Sequence, residues 1–291
     1  MLDHIKNIVK EAEKQGYAVG AFNVHGLESI LGVAQAAVEA KSPAIIQVSE
    51  GAIDYMGLKP VTHLVSTVAK NVATQVPIAL HLDHGKKLDY VLGCINAGFS
   101  SVHIDASHLP LDENIALTKQ VVEIAHNKDV WVQGEVGAIM GGHGDNGGKI
   151  EDIPIAELDE VIKFVKETGV DTIAAAVGTA HGVYDNEDIL IDLLKSIKTA
   201  TKIPFVLHGG SGVKVNKIEE SIKNGVNIIN ICSDIKISFT DAVKKYCKDN
   251  PKDTDPRHLL GPGIEAVKNK AIEHMKILGS ADKVKLANIK T

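Results

Sequence analysis

The sequence predicts an α/β chain closed into a (β/α)8 barrel, with additional helices at its C-terminus. Three observations carry that prediction. Eight short apolar runs alternate with segments of helical periodicity. Most of the runs are continuous rather than alternating, as expected of parallel strands buried on both faces. Most run starts lie roughly 25–30 residues apart, the length of one βα unit. An open, doubly wound sheet is the competing arrangement of the same units. Eight strands with helical connections favour closure.

In chain order, the expected strands cover residues 18–22, 44–48, 77–82, 101–104, 130–135, 171–177, 203–208 and 226–231. Helical periodicity fills the intervals, for example 27–40 and 158–167. Gly16, Pro43, Pro77, Gly98, Gly169, Pro204 and Gly225 stand at or just before strand starts, where helices end and chains turn. The interval between the fifth and sixth strands is longer and holds Gly137, Gly141, Gly142, Gly144, Gly147 and Gly148. A polar, glycine-rich loop of that size is either disordered or an active-site lid. Residues 241–291 read as helices packed outside the barrel, so residues 1–291 form one expected domain with its barrel over about 1–240.

The composition weighs against some partners. Thirty-one basic residues against 37 acidic ones leave a net charge of −6, which argues against nucleic acid or an anionic membrane as a partner. Local clusters still decide whether an anionic substrate binds. The three cysteines, Cys94, Cys232 and Cys247, show neither disulfide-framework nor zinc-site spacing and read as reduced thiols. Met1 to Lys6 open directly into an amphipathic helix without an apolar signal region, and no apolar run approaches the ~18 residues of a membrane span. A cytoplasmic location is expected.

A polar residue follows almost every strand: Asn23, Ser49, Asp83 and His84, Asp105, Glu135, His181, His208, and the stretch Asn230 to Ser233. In barrels of this kind the C-terminal strand ends carry the chemistry. Each residue taken singly also reads as a helix N-cap; for Asn23 and Ser49 alone, the cap is the better reading. As a set they converge on one rim. His84, His181 and His208 come from three separate βα units, and three neutral imidazoles with an open fourth position make a catalytic zinc arrangement. Spacing alone leaves that reading level with ordinary structural histidines. His4, His63, His126 and His274 read as helix-surface residues, and His81 and His103 as polar residues inside the barrel. The seventh strand runs into His208-Gly209-Gly210-Ser211-Gly212, and the eighth into Asn230-Ile231-Cys232-Ser233-Asp234. Loops at these two positions form the usual barrel phosphate site, where glycine lets backbone N–H groups approach the anion. A plain tight turn is the alternative.

Several motifs resemble the class II fructose-bisphosphate/tagatose-bisphosphate aldolases: Gly20-Ala21-Phe22-Asn23, Gln47-Val48-Ser49-Glu50-Gly51, His81-Leu82-Asp83-His84-Gly85, Ile104-Asp105-Ala106-Ser107-His108, Gly178-Thr179-Ala180-His181-Gly182, and Leu207-His208-Gly209-Gly210-Ser211-Gly212. Asp255-Pro256-Arg257 and Gly261-Pro262-Gly263 are similar to the family's C-terminal segment, so the likeness covers nearly the whole chain in order. The resemblance implies a Zn²⁺ held by His84, His181 and His208, with Asp105 and Glu135 able to hold the ion in an alternative place. It implies Asp83 as acid/base on the C4 hydroxyl. Asn23, Ser49, Gly182, Gly209, Gly210, Ser211, Asn230, Ile231, Cys232 and Ser233 become substrate-binding positions, most of them for the dihydroxyacetone-phosphate half. It further implies a sugar bisphosphate substrate, a monovalent cation (Na⁺ or K⁺) near the phosphate, and a homodimer or larger homo-oligomer.

Two departures stand out. The family loop after the fifth strand usually carries a glutamate where this chain reads Gly141-Gly142-His143-Gly144-Asp145-Asn146, so Asp145 or His143 is the expected substitute. Gln133 stands where a glutamate is common. Fructose 1,6-bisphosphate is the leading substrate, ahead of tagatose 1,6-bisphosphate or another phosphorylated ketose such as an inositol-breakdown intermediate. A phosphate-binding barrel isomerase and a non-catalytic sugar-phosphate-binding barrel are the competing classes.

Overall fold

The computed structural model describes residues 1–139, 153–182 and 188–285. The strands are β1 (Val19–Asn23), β2 (Ala44–Ser49), β3 (Ile78–Gly85), β4 (Ser101–Ile104), β5 (Trp131–Val136), β6 (Thr172–Ala175), β7 (Phe205–Leu207) and β8 (Val226–Ile231). They pair in sequence order, all parallel, and β8 returns to β1. The barrel is closed, and the open-sheet alternative is excluded.

Two apolar layers hold it. The larger lies between the strands and the surrounding helices and includes Phe22, Phe99, Phe164 and Phe205, each at most 1% exposed. Burial of each such side chain contributes about 1.5–3 kcal/mol. The smaller fills the N-terminal end of the barrel. There Val19, Ala21, Ile45, Ala79, Ala174, Val206 and Ile228 point inward and meet Ile5, Ile8, Val9 and Ala12 of the helix Ile5–Gln15. That helix is amphipathic, as its sequence required, and it stoppers the barrel at the end opposite the polar rim. The barrel interior is therefore apolar below and polar above.

Three strand boundaries differ from expectation by more than one residue. β6 ends at Ala175, because the next backbone groups pair with loops: Ala156 N–H donates to Ala176 O at 2.8 Å and Leu190 N–H to Val177 O at 2.8 Å. β7 begins after Pro204, which has no N–H for a ladder. β3 runs on to Gly85. At the C-terminus, helices span Ser233–Asp249 and Pro256–Ile277. The second lies against the helix Leu27–Glu39, where a Cβ on Gly32 would come within 2.7 Å of Val267, so only glycine permits that approach. No helix among the described residues is long and apolar enough to cross a membrane.

Candidate active site

The polar rim depends on an irregularity in β3. From Leu82 to Gly85 that strand advances three residues while β4 advances two, Val102 to Ile104, so one extra residue bulges out. His84 takes a left-handed conformation, φ 48°. On a regular strand Asp83 and His84 would face opposite sides. The bulge turns both inward, with Asp83 Oδ1 3.8 Å from His84 Nε2. The expectation that the strand stops here is corrected, since pairing continues and the bulge reorients the side chains. The His84 N–H donates to His103 Nδ1 at 3.3 Å, which ties the bulge to β4.

The histidines gather around His84. Its ring centroid lies 4.6 Å from that of His208, 4.8 Å from His181 and 4.7 Å from His103. Two sets of described residues bring ligand atoms within 4.8 Å of one another: Asp83, His84, His103 and His208; and His84, His103, Asp105 and Glu135. His181 stands outside both sets, with its ring 5.7 Å from that of His208. His103 was read only as an interior polar residue, yet it belongs to both. The available signal was its two-residue spacing from Asp105, which puts both on one face of β4. The same alternation pairs His81 with Asp83 and Gln133 with Glu135.

The donor set fits a divalent ion. His84 Nδ1 donates to Asp105 Oδ2 at 2.8 Å, which directs Nε2 toward His208 Nδ1, 2.9 Å away. Ring nitrogens that close share one proton or one cation. Glu135 Oε2 and His103 Nε2 are buried without a hydrogen-bond partner and 3.7 Å apart, as groups at the edge of a cation site would be. Gln133 Nε2 lies 2.7 Å from His208 Nε2. A ring that gives Nδ1 to an ion keeps its proton on Nε2, so Gln133 would meet it with the amide oxygen, which exchanges with nitrogen by a half-turn. A neutral amide thus orients this ring where a carboxylate is common.

Electrostatics distribute the protons. Burial opposes charge on His84, but Asp83, Asp105 and Glu135 overcome it and push its pKa up to about 9. Burial and the neighbouring His84 push His103 down to about 3 and hold His208 well below its ordinary range, both neutral. Burial pushes Glu135 up to about 7, with Asp105 adding to the rise. Asp105 stays ionised despite burial, because His84 and Ser107 hydrogen-bond its carboxylate.

Asp83, 1% exposed, is held from two sides. Asn23 Nδ2 donates to Oδ2 at 2.7 Å and Asn230 Nδ2 to Oδ1 at 3.2 Å. Gln47 Nε2 in turn donates to Asn23 Oδ1 at 2.8 Å, which fixes that amide's orientation. Asn23 therefore faces Asp83 at the rim, and the cap reading of that residue taken alone is corrected, since the next helix is capped at Gly26. Ser49 is the cap: its hydroxyl accepts Ala52 N–H at 3.3 Å at the start of the helix Glu50–Met56.

A pocket opens above this cluster, lined by Asn23, Asp83, His181, Gly182, Gly209, Gly210, Ser211, Asn230, Cys232 and Ser233. Ile231 is not among the lining residues, and its side chain is fully buried in the layer under the helices. Gly209 has φ 69°, and a Cβ there would stand 2.2 Å from Ala180 O, so no other residue fits. The Ser211 hydroxyl oxygen accepts Asp234 N–H at 3.3 Å, leaving its own hydrogen free to donate into the pocket. Asp145 and His143 lie outside the described residues. Of the four histidines read as helix-surface, His274 is corrected. It is 9% exposed and bonded to Asp234, because the last helix turns that face onto the barrel.

A closed (β/α)8 barrel with imidazoles and carboxylates crowded at its C-terminal rim, beside a glycine-built cradle, defines a class of metal-assisted barrel enzymes. A sequence profile of the family described as "Fructose-bisphosphate aldolase class-II" matches residues 3–283. The chain is 41% identical over 281 residues to a "6-phospho-5-dehydro-2-deoxy-D-gluconate aldolase" of Bacillus licheniformis, covering 96% of this chain and 95% of that protein. It is equally 41% identical over 281 residues to a "Fructose-bisphosphate aldolase" of Geobacillus stearothermophilus, covering 96% and 97%. The crystal structure of the YdjI aldolase from Escherichia coli K12 superposes with a TM-score of 0.85 at 31% identity, over 98% of this chain and all of that one. The chain belongs to the class II fructose-bisphosphate aldolase family and is an aldolase, a carbon–carbon lyase of a metal-dependent class that acts on sugar phosphates.

Proposed function

We propose that this aldolase reversibly cleaves the C3–C4 bond of a ketose 1,6-bisphosphate with zinc, and that fructose 1,6-bisphosphate is the first substrate to test, giving dihydroxyacetone phosphate and glyceraldehyde 3-phosphate. The observation that carries the reading is the position of Asp83. It is an immobilised carboxylate 3.8 Å from His84, in a pocket also lined by Gly209, Gly210 and Ser211. His84, His181 and His208 are the ion's ligands in this reading, with Asp105 and Glu135 as an alternative seat. A divalent ion held there supplies a Lewis acid for the negative charge left on the ketone fragment.

The chain's own groups do the rest. Asp83 accepts the proton of the C4 hydroxyl as the C3–C4 electron pair passes to the ketone fragment and C4 becomes an aldehyde. Asn23 and Asn230 keep both carboxylate oxygens aimed while this happens. Gly209, Ser211 and Ser233 offer N–H and O–H donors to the phosphate of the ketone fragment, and Gly182, Cys232 and Gly210, whose own N–H donates to Asn230 O at 3.1 Å, complete the wall. Asp145 or His143 exchanges the proton on the ketone-fragment carbon.

A second reading takes 6-phospho-5-dehydro-2-deoxy-D-gluconate as substrate, on the same cleavage chemistry. The Bacillus licheniformis relative supports it at the same identity as the fructose-bisphosphate one. One experiment separates them. The purified protein is assayed for bound metal, then for cleavage of fructose 1,6-bisphosphate, tagatose 1,6-bisphosphate and 6-phospho-5-dehydro-2-deoxy-D-gluconate, before and after exhaustive chelation. Full activity without metal sinks the zinc reading, and the largest kcat/KM assigns the substrate.

A further inference from the structure

Resting on the phosphate-cradle reading above, we propose that His274, in the last helix and outside the pocket, is a positioning residue that keeps the cradle receptive to a phosphate group by holding the carboxylate of Asp234 away from it. The problem it solves is electrostatic. The helix Ser233–Asp249 starts at the pocket, where Ser233 is part of the wall. The dipole of that helix favours an anion there. The next residue is an aspartate, and a carboxylate turned toward the pocket would repel the phosphate.

The structure shows Asp234 turned the other way. It lines a separate cavity behind the loop, together with Gly210, Gly212, Glu273 and His274. Its Oδ2 lies 2.7 Å from His274 Nε2. Its backbone N–H, by contrast, serves the pocket side through Ser211 Oγ at 3.3 Å. One residue therefore splits its two functions across the loop: the amide orients the pocket hydroxyl, and the charge is tethered behind it. Glu273, the other acid at this cavity, is engaged by Lys270 at 2.6 Å and is half-exposed. Among the described residues His274 is the buried side chain bonded to the Asp234 carboxylate, and the helix Pro256–Ile277 places it there.

Loss of the tether frees a charge to swing toward a dianion across a short, partly screened gap, which weakens binding by about five- to tenfold. The test measures the affinity of the metal-loaded protein for inorganic phosphate by competition against substrate cleavage, with KM and kcat followed separately. His274→Ala is expected to raise the phosphate inhibition constant and KM about five- to tenfold, with kcat and metal content unchanged. Adding Asp234→Asn to that variant removes the charge and restores binding to within about twofold. His274→Gln, which keeps an N–H toward Asp234, stays within about twofold of the native protein and guards against a simple folding defect. Unchanged phosphate affinity in His274→Ala overturns the proposal, as does a loss that Asp234→Asn fails to rescue. Ser211→Ala is the reference: if it too leaves phosphate affinity unchanged, the cradle reading falls along with this one, whereas a loss in Ser211→Ala alone overturns only the role of His274.

Discussion

Replacing Asp83 with asparagine is the most demanding test of the site. The change keeps the size of the side chain and removes its charge and its capacity as a base. Both carboxylate oxygens accept amide N–H groups, from Asn23 at 2.7 Å and from Asn230 at 3.2 Å. An asparagine at this position has one oxygen and one NH2, so one flanking amide must face a donor. Asn23 cannot simply turn over, because its oxygen already accepts from Gln47 at 2.8 Å. The misfit therefore falls on Asn230, and an unsatisfied buried donor costs about 1–3 kcal/mol of stability. Loss of the base costs about 10²- to 10⁴-fold in kcat. Metal content should be retained, since the imidazoles remain. The assay is cleavage of the best substrate in single-turnover mode, with melting temperature and metal content measured on the same sample. A variant with intact metal and more than about a tenth of the native kcat would refute the role given to Asp83.

Three further outcomes are expected. Loading metal into the chelated protein at pH 7 should release at least about one proton, because the carboxylates raise His84 to a pKa of about 9 and a ligating ring must give that proton up, while Glu135, raised to about 7, gives up part of another; calorimetry in buffers of different ionisation enthalpy reads the count, and no release would contradict the assignment of His84. The sign for stability follows: a raised pKa stabilises the metal-free fold fully below the ordinary value of 6.5, and this contribution fades as pH rises through about 9. Burial holds the Cys94 and Cys232 thiols up at about 12, whereas Cys247 is exposed, so iodoacetamide at pH 8 should modify Cys247 alone, read by mass spectrometry of tryptic peptides. Gly209→Ala should cost at least about 1–3 kcal/mol in strain and raise KM for phosphorylated substrates, since its φ of 69° and the 2.2 Å approach to Ala180 O leave no room for a methyl group; an unchanged KM would remove this loop from the binding site.

Local chemistry made much of this legible. Continuous apolar runs at regular spacing announced eight parallel strands, because a strand covered on both faces has no polar side to show. Polar residues at the ends of those runs announced the rim, because a barrel directs all its strand ends to one mouth. Asp83, His208, the Gly209–Ser211 turn and Asn230 were found in this way. The alternation of faces along a strand was also available, and it would have promoted His103 beside Asp105.

Other features have no signature along the chain. The bulge at His84 arises from pairing between β3 and β4 and could not be read from either strand. Asn23 and Ser49 both put a cap-forming residue at the end of a strand, yet one steadies Asp83 and the other caps a helix, because the Asn23 amide meets Gln47 of β2 and Asp83 of β3 whereas the Ser49 hydroxyl meets the Ala52 N–H. His274 looks like any helix-surface histidine until the last helix folds back and sets it against Asp234, 40 positions away. Hydrophobic period and turn residues act over a few positions, and so the sequence by itself determined the elements and the rim. Hydrogen bonds between residues distant in sequence depend on how the closed barrel sets its strands in register, and so tertiary structure alone decided which polar groups meet.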